Sequence, residues 1–378
     1  MKIAHVTPFY YPVIGGVENV VEKVAEFMVS RGHDVYVITY NRLRKGGERS
    51  LPWHEIINNV QVIRVKPDFT WSHGTYSSEI SKVLTELRPD IVHVHVWRHP
   101  HVFQIAKLRK KSNFKAILQP HGPFHTLQQL GTITWFYHKI VDSVPYFRYI
   151  MRDYEKIVAL THIEQEILQR KFHIQSDKIT IIPNFVTDDF IAEAKRYLNR
   201  NREPVVLYLG RLCKEKNVNL LIQVARQLSS EAPDVKIVIA GPAESRKYEM
   251  LLNSMKNVVY VGPVYDIAEK VRLYTKAKVF ISTSIYESFL TALLEAQACG
   301  SPCVITGFGG QLCAAPPNIS SLWAPPDAVK FTRTILSLMK DEGLYFKLKE
   351  GGLKWAKLHQ ESKILPMYEL MYNSIVNA

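Results

Sequence analysis

The feature that most constrains this chain is a repeated alternation of short apolar runs with amphipathic stretches. Lys2–Thr7 is an apolar run, followed by a loop holding Pro8, Pro12, Gly15 and Gly16. Val17–Arg31 then places Val17, Val20, Val21, Val24, Phe27 and Met28 on one stripe at helical spacing. Gly32 closes that helix, and Val35–Thr39 is the next strand-like run. Further runs lie at Val60–Val65, Ile91–Val96, Ala116–Leu118, Ile157–Leu160 and Ile179–Ile182, most of them separated by helical stretches. Strands separated by helices pair through crossovers, so the pattern predicts a parallel sheet.

A second series begins after Arg202. Val205–Leu209 is apolar, a basic loop follows, and Val218–Glu231 is helical. Val235–Ala240, Val258–Val261, Val279–Ser282 and Cys303–Thr306 repeat the strand pattern, with helices at Ile267–Thr275 and Phe289–Cys299. The fold class is therefore α/β, with two Rossmann-like βαβ domains. The boundary is expected in the polar stretch Asn184–Glu203, which ends in Pro204. Lys354–Val376 reads as a final helical stretch, broken or kinked near Pro366. A chain of 378 residues has room for two cores. Its 47% hydrophobic and 22% charged residues exclude wholesale disorder, collagen and a disulfide scaffold.

On parallel sheets, ligands bind outside the carboxyl ends of the strands. With two such domains the cleft between them is the expected site. Three strand-end segments carry candidate chemistry. Gly15-Gly16 precedes the first helix, whose free N–H groups favour an anion, and the two glycines are expected to let the backbone turn at positive φ. Neither an NAD fingerprint nor a phosphate-binding P-loop stands there. Gly210-Arg211-Leu212-Cys213-Lys214-Glu215-Lys216 follows the first strand of the second series, and its Arg and Lys side chains suit a diphosphate; a solvated basic loop is the plainer alternative. Tyr286-Glu287-Ser288-Phe289-Leu290 runs into a helix packed by Leu290, Leu293 and Leu294, which carries Glu295 into an apolar setting. A carboxylate there needs partners, and ligand hydroxyls such as a ribose diol would supply them; a capping carboxylate beside a half-exposed one is the alternative.

In order along the chain stand Gly15-Gly16, Pro120-His121-Gly122, Ile182-Pro183-Asn184-Phe185-Val186, Gly210-Arg211-Leu212 with Lys216, and Ile239-Ala240-Gly241. They continue with Val261-Gly262-Pro263-Val264, then Glu287 and Glu295 eight positions apart, then Gly300-Ser301-Pro302-Cys303-Val304. This series resembles the retaining GT-B glycosyltransferases of the large family-4 group, also called glycosyl transferases group 1. The resemblance spans nearly the whole chain. It implies an acceptor-binding domain over 1–190, a nucleotide-sugar-binding domain over 191–355, and a helical segment over 356–378 that could return to the first domain. It also implies transfer of a hexose from a nucleoside-diphosphate sugar to a glycan or lipid-linked acceptor, with no cofactor and no metal.

Residue by residue, the resemblance puts Gly16 near the donor phosphates and acceptor, and His121 near the transferred sugar. Arg211 and Lys216 neutralise the leaving diphosphate, Glu287 meets the donor sugar, and Glu295 meets the ribose. Catalysis would rest on His121, Arg211, Lys216 and Glu287. Donor binding would add Gly16, Gly210, Gly241, Val264, Ser288, Phe289, Leu290 and Glu295; acceptor binding would use Gly15, Gly16, His95 and His121. The chain departs from the family pattern where Glu-Gly-Phe-Gly is Glu287-Ser288-Phe289-Leu290 and where Lys-Gly is Lys216-Asn217. A third departure is Gln311-Leu312-Cys313-Ala314-Ala315-Pro316, which follows Gly309-Gly310 in place of Pro-Glu and a Gly-rich turn. A soluble synthase with a small-sugar or polysaccharide acceptor, and a catalytically silent nucleotide-sugar binder, are the alternatives.

His93, His95, His99 and His101 gather near one strand end. No Cys or acid nearby in sequence completes a metal set, so His95 reads as a position-fixing residue or an acceptor contact and the others as solvated. The net charge of +13 asks for an anionic partner. Much of it comes from residues 97–152, which hold nine Lys and Arg (Arg98, Lys107, Arg109, Lys110, Lys111, Lys115, Lys139, Arg148, Arg152) and one acid, Asp142. Aromatics from Trp97 to Tyr149 are interleaved, so this region is expected to meet an anionic membrane surface. No nucleic-acid-binding signature accompanies it. The N-terminal apolar run is too short for a signal segment, and no spanning stretch is present. Four cysteines without a CxxC pair fit a reducing compartment. The expected setting is cytoplasmic, peripheral on the inner face of the cell membrane.

Overall fold

The structure, a computed structural model, describes residues 1–43, 51–71, 74–122, 124 and 127–377. The chain clusters into two compact units. The first comprises Met1–Phe124, Gly131–Pro183 and Leu365–Ala378; the second comprises His125–Leu130 and Asn184–Ile364.

The first unit is built on an eight-stranded sheet. In chain order its strands are β1 (Lys2–Val6), β2 (Asp34–Tyr40), β3 (His54–Ile57) and β4 (Val60–Val65); then, after a separate hairpin of β5 (Phe69–Trp71) and β6 (Gly74–Tyr76), β7 (Ile91–His95), β8 (Lys115–Gln119), β9 (Lys156–Ala159) and β10 (Ile179–Ile181). The spatial order is β10-β9-β8-β7-β1-β2-β4-β3, parallel except for β3 at the edge. The central strands β1 and β7 are almost wholly buried, as expected for strands covered on both faces. Their register pairs Ile3 with Ile91 and His5 with His93. The core includes Ile38, Val92, Leu118, Met151, Tyr154 and Phe172.

The second unit carries β11 (Glu203–Leu209), β12 (Lys236–Ala240), β13 (Val258–Gly262), β14 (Ala277–Ser282), β15 (Cys303–Ile305) and β16 (Ser321–Trp323). Their order, β13-β12-β11-β14-β15-β16, is the doubly wound one, and every pairing is parallel. Around the sheet pack Val206, Leu221, Leu228, Ile237, Ile281 and Phe331. The expected α/β architecture of two Rossmann-like sheets is thus what the chain forms.

Several details differ from the sequence reading. The β3 strand, the β5–β6 hairpin and β16 lack a strong apolar run, being short or half-exposed, so the sequence pattern does not mark them. The break expected near Pro366 falls instead at His359-Gln360, between the helices Glu342–Leu358 and Glu361–Val376. Pro366 lies inside the second of these, at its sixth position, where its missing N–H removes one bond from the backbone ladder. The turn at Gly15-Gly16 does not use positive φ. Gly15 is extended (φ −174°, ψ 175°) as N-cap of the helix Gly16–Ser30, and a Cβ on Gly16 would touch nothing.

Positive φ is needed elsewhere. Gly241 stands at φ 134°, and a Cβ there would lie 2.0 Å from the carbonyl oxygen of Gly210. Gly241→Ala is therefore expected to cost about 2–4 kcal/mol, through strain and overpacking together. Gly16→Ala should change stability by less than about 1 kcal/mol. Urea unfolding of the two variants checks this, and equal midpoints would contradict the close approach at Gly241.

Candidate functional site

Each sheet has one place where its strand order reverses, between β1 and β7 in the first unit and between β11 and β14 in the second. The candidate residues collect at the carboxyl ends of these strands, each group within its own unit.

In the second unit, β11 leads into Gly210-Arg211 and a single turn, Lys214–Lys216. The Arg211 guanidinium is about half exposed and pairs with Glu244 and Glu215, each at 3.0 Å. Lys216 is more enclosed; its ammonium lies 2.5 Å from Glu287 Oε1. Its carbonyl accepts from Thr283 Oγ1 at 2.9 Å, which ties this turn to the loop after β14. Asn217, where the family pattern has glycine, holds φ 53° and caps the helix Val218–Glu231 by accepting from the Leu220 N–H. Asparagine tolerates that left-handed geometry better than most residues, which explains the replacement. Cys213 is buried, and burial pushes its thiol up to about 11, so it is no nucleophile at neutral pH.

Glu287 sits in the β14 loop, and its carbonyl accepts from the Gly310 N–H at 2.7 Å. Gly309 (φ 63°) and Gly310 are required here: a Cβ on Gly310 would fall 1.8 Å from the Ser288 carbonyl oxygen. Ser288 is half-buried, and Phe289 is buried with its ring 5.9 Å from that of His359. Leu290 is the N-cap of the helix Thr291–Ala298 and supplies no side-chain cap. On that helix Glu295 accepts from Tyr274 Oη at 2.9 Å and lies 3.3 Å from Lys270 Nζ. Burial raises the Tyr274 phenol well above its ordinary range, so it stays a donor. Gly210 and Gly241 meet backbone to backbone, and Val264 is buried beyond β13. Sequence reasoning missed Tyr274 and Lys270, whose link to Glu295 is purely spatial. It also missed Gln129, which donates to the Tyr286 carbonyl at 3.1 Å.

In the first unit the switch point is lined with imidazoles. His5 on β1 and His93 and His95 on β7 share one face of the sheet. His5 Nδ1 is 3.0 Å from His95 Nε2, and His95 Nδ1 is 3.0 Å from His121 Nε2. His93 Nδ1 is 2.7 Å from the Tyr372 hydroxyl, and His101 Nε2 donates to the His95 carbonyl at 2.8 Å. Contrary to the solvated reading, His93 and His101 are fully buried and His99 is half-buried. Burial lowers His5 and His121 to about 3 and His101 to about 4; burial, then neighbouring imidazole charge, holds His93 and His95 well below the usual range.

His121 itself stands at φ 57°. The loop that carries it is fastened by Glu164, also unforeseen, which accepts from the Gly122 N–H at 2.9 Å and the Leu160 N–H at 2.8 Å. Burial raises Glu164 to about 7, against the pull of those two backbone bonds.

The basic region divides on inspection. Arg98 is buried and pairs with Asp142, as does Lys171, while Arg109 pairs with Glu155 and Lys110 with Asp153. Trp97 and Phe114 are core residues. Lys107 and Lys111 stay exposed, and the most exposed apolar side chains of the region gather on the helix Thr132–Ser143 and the short helix Pro145–Tyr149 after it, where Ile133 (81% exposed), Phe136 (62%) and Tyr146 (69%) stand on the segment that carries Lys139, Arg148 and Arg152. Among the described residues no helix is long and apolar enough to cross a membrane.

Two doubly wound sheets with polar switch points define the GT-B class of glycosyltransferases. The model for glycosyltransferase family 4 matches residues 14–190, and that for glycosyl transferases group 1 matches residues 189–355. The chain belongs to this family, whose members are retaining enzymes that transfer sugar from nucleotide-sugar donors. An uncharacterised glycosyltransferase of Methanocaldococcus jannaschii is 29% identical over 351 residues, covering 86% of this chain and 85% of that protein. A phosphatidylinositol N-acetylglucosaminyltransferase component from Arabidopsis thaliana is 22% identical over 99% of this chain and 82% of its own length. Among solved structures, sucrose-phosphate synthase from Thermosynechococcus elongatus shares the fold with a TM-score of 0.78, 20% identity, and coverage of 99% and 98%.

The buried imidazoles make the first unit acid-sensitive. Their folded values lie below the unfolded one near 6.5, so the stability they hold is complete above that pH and is lost as pH falls. At pH 5, His5, His101 and His121 together cost about 6 kcal/mol. Glu164 has the opposite sign, being raised, and returns about 2 kcal/mol over the same interval. His93 and His95 add to the loss. A net loss of at least about 3 kcal/mol between pH 7 and pH 5 is expected, with proton uptake on unfolding; urea titrations across that range measure it, and flat stability would refute the buried neutral cluster.

Proposed function

We propose that the chain moves a hexose from a nucleoside-diphosphate sugar to a glycan or lipid-linked acceptor, without a metal at the diphosphate, as a peripheral protein on the cytoplasmic face of a membrane. The observation that carries this reading is the Lys216–Glu287 pair at the second switch point. It sets a cation for phosphate beside a carboxylate for sugar hydroxyls on adjoining loops. Cleaving the bond from sugar to phosphate builds negative charge on the diphosphate. Fixed cations aimed at that charge lower the barrier without a divalent ion. Arg211 and Lys216 take this role, Glu287 holds the donor sugar, and Glu295 receives the ribose hydroxyls while Tyr274 and Lys270 fix its carboxylate. The uncapped first turn after Leu290 offers N–H donors to the donor, with Ser288 and Phe289 shaping the approach. Gly210, Gly241 and Val264 form the backbone wall of the nucleotide site.

On the first unit, Gly15 and Gly16 leave a helix N-terminus open to phosphate or acceptor, and His121 contacts the acceptor and transferred sugar; His95, expected to be an acceptor contact, is fully buried and instead holds His121 in position through its Nδ1. His121 is neutral at physiological pH and serves as a hydrogen-bonding partner. The leaving phosphate, on the same face, takes the acceptor proton.

The test is a metal-free screen of UDP-, GDP- and ADP-sugars, following thermal stabilisation and slow donor hydrolysis. One donor should give both, and no response to any would refute the reading. With that donor, Lys216→Ala should lower kcat/KM by about 10²–10³-fold while the fold is kept. Unchanged turnover would remove Lys216 from the site.

The membrane part of the proposal rests on the exposed apolar face of Thr132–Ser143 with its cationic fringe. The lipid in the name of the Arabidopsis relative agrees with it. Ile133→Ser, Phe136→Ser and Tyr146→Ser together should abolish flotation with anionic liposomes while leaving donor hydrolysis intact. Flotation that does not depend on anionic lipid would count against this face.

A further inference from the structure

We infer that His5, His93 and His95 form a three-histidine site for a divalent cation of the zinc class, with one coordination position open. Residues two apart on a strand share a face, and residues paired in parallel register share one too. His93 and His95 on β7, with His5 opposite His93 on β1, therefore make a triangle of imidazoles. One nitrogen from each ring lies within 4.8 Å of the others, and all three residues are completely buried. Imidazole nitrogens in this spacing suit a zinc-class ion, which binds them at about 2.0–2.1 Å.

The second observation is an imbalance that hydrogen bonds among the protein groups do not resolve. Among the described residues, His93 Nε2 is buried with no hydrogen-bond partner. A buried unpaired nitrogen costs about 1–3 kcal/mol. Changing tautomers only exchanges a stranded N–H for a stranded lone pair. For His93, Nδ1 is engaged by Tyr372 Oη at 2.7 Å, so the free nitrogen is Nε2. An ion accepting that lone pair ends the imbalance.

The third observation concerns what surrounds the triangle. A metal-ligating histidine donates its other ring N–H to a fixed partner, which sets its tautomer and orientation. His93 has that partner in Tyr372. His95 has it in His121, whose Nε2 lies 3.0 Å from His95 Nδ1 and leaves His95 Nε2 turned toward His5. His5 Nδ1 faces that nitrogen at 3.0 Å, a separation two ligands of one ion can share. His121 is only half-buried and marks where the row of rings reaches the surface. With three neutral ligands the ion keeps its charge, and a hydroxide or an anionic group at the open position answers it. The ion belongs to the first unit and takes no part in the diphosphate chemistry proposed for Arg211 and Lys216, so the two readings stand or fall separately.

The experiment uses the full chain with any affinity tag removed, stripped by a chelator and titrated with Co2+. One equivalent per chain should develop the intense visible bands of four- or five-coordinate cobalt, and Zn2+ should bleach them. Tyr372→Phe should keep the stoichiometry and weaken affinity about 10–100-fold. His5→Ala and His93→Ala should abolish the bands, whereas His54→Ala, at an exposed histidine of the same unit, should bind as the parent does. Absence of bands in the parent protein, a stoichiometry other than one, or bands that persist in His93→Ala would overturn the site. The parent titration decides even where a variant does not fold. Donor hydrolysis in the stripped protein, measured alongside, reports on the transferase reading alone.

Discussion

Where a parallel sheet reverses its strand order, the two flanking connections leave to opposite faces, and no helix covers the strand ends between them. This constraint acts in each unit and decides where chemistry can reside. In the first unit the gap opens between β1 and β7, and in the second between β11 and β14. Strands on either side of the gap are fully buried along most of their length, so only their last residues and the loops beyond can hold polar groups near a ligand. Lys216 follows β11, Glu287 follows β14, His95 ends β7, and His121 follows β8. Other requirements, such as the close backbone contacts at Gly241 and Gly310, keep those loops at the strand ends.

Much of this was legible in the sequence, because parallel strands covered on both faces spell continuous apolar runs. All the strong runs became strands, with ends shifting by a residue or two. The segments that escaped notice are those where burial writes no such pattern. The β3 strand is an exposed edge, and β5, β6 and β16 have three residues each. The candidate site was legible only in part. Arg211, Lys216 and Glu287 stand out because charge at a strand end is conspicuous, and Glu295 because it is a carboxylate in a mostly apolar helix. Tyr274, Lys270 and Glu164 do not, since each matters through a neighbour that the chain pattern does not mark. His5 is the sharpest case. It lies 90 positions from His95, and only the β1–β7 register brings them together.

Counted along the chain, residues 97–152 hold nine cations against one acid. In space, Asp142 serves both Arg98 and Lys171, and Glu155 and Asp153, just beyond the stretch, neutralise Arg109 and Lys110. A linear charge count thus overstates the field at the surface. The aromatics sort the same way: Trp97 and Phe114 stabilise the core, while Phe136 and Tyr146 face outward. The apolar exposure that remains is concentrated on one helix and the short helix that follows it, a narrower basis for membrane contact and a better-defined one.

The two cations of the second switch point are held differently, and the difference bears on how a donor would be recognised. Arg211 is about half exposed, and its pairs with Glu215 and Glu244 are of the exposed kind that contribute about 0–1 kcal/mol. A diphosphate can displace those partners at little cost, and both glutamates return to water. Lys216 and Glu287 are far more enclosed, at 17% and 12% exposure. Drawing Lys216 toward a phosphate strips Glu287 of its counter-charge in a place where an unpaired carboxylate is expensive. Glu287 must then find hydroxyl donors at once. A nucleoside diphosphate alone leaves that need unmet, whereas a diphosphate carrying a sugar meets it. On the proposed reading, the pair makes recognition of the phosphate conditional on recognition of the sugar, which favours the intact donor over its product.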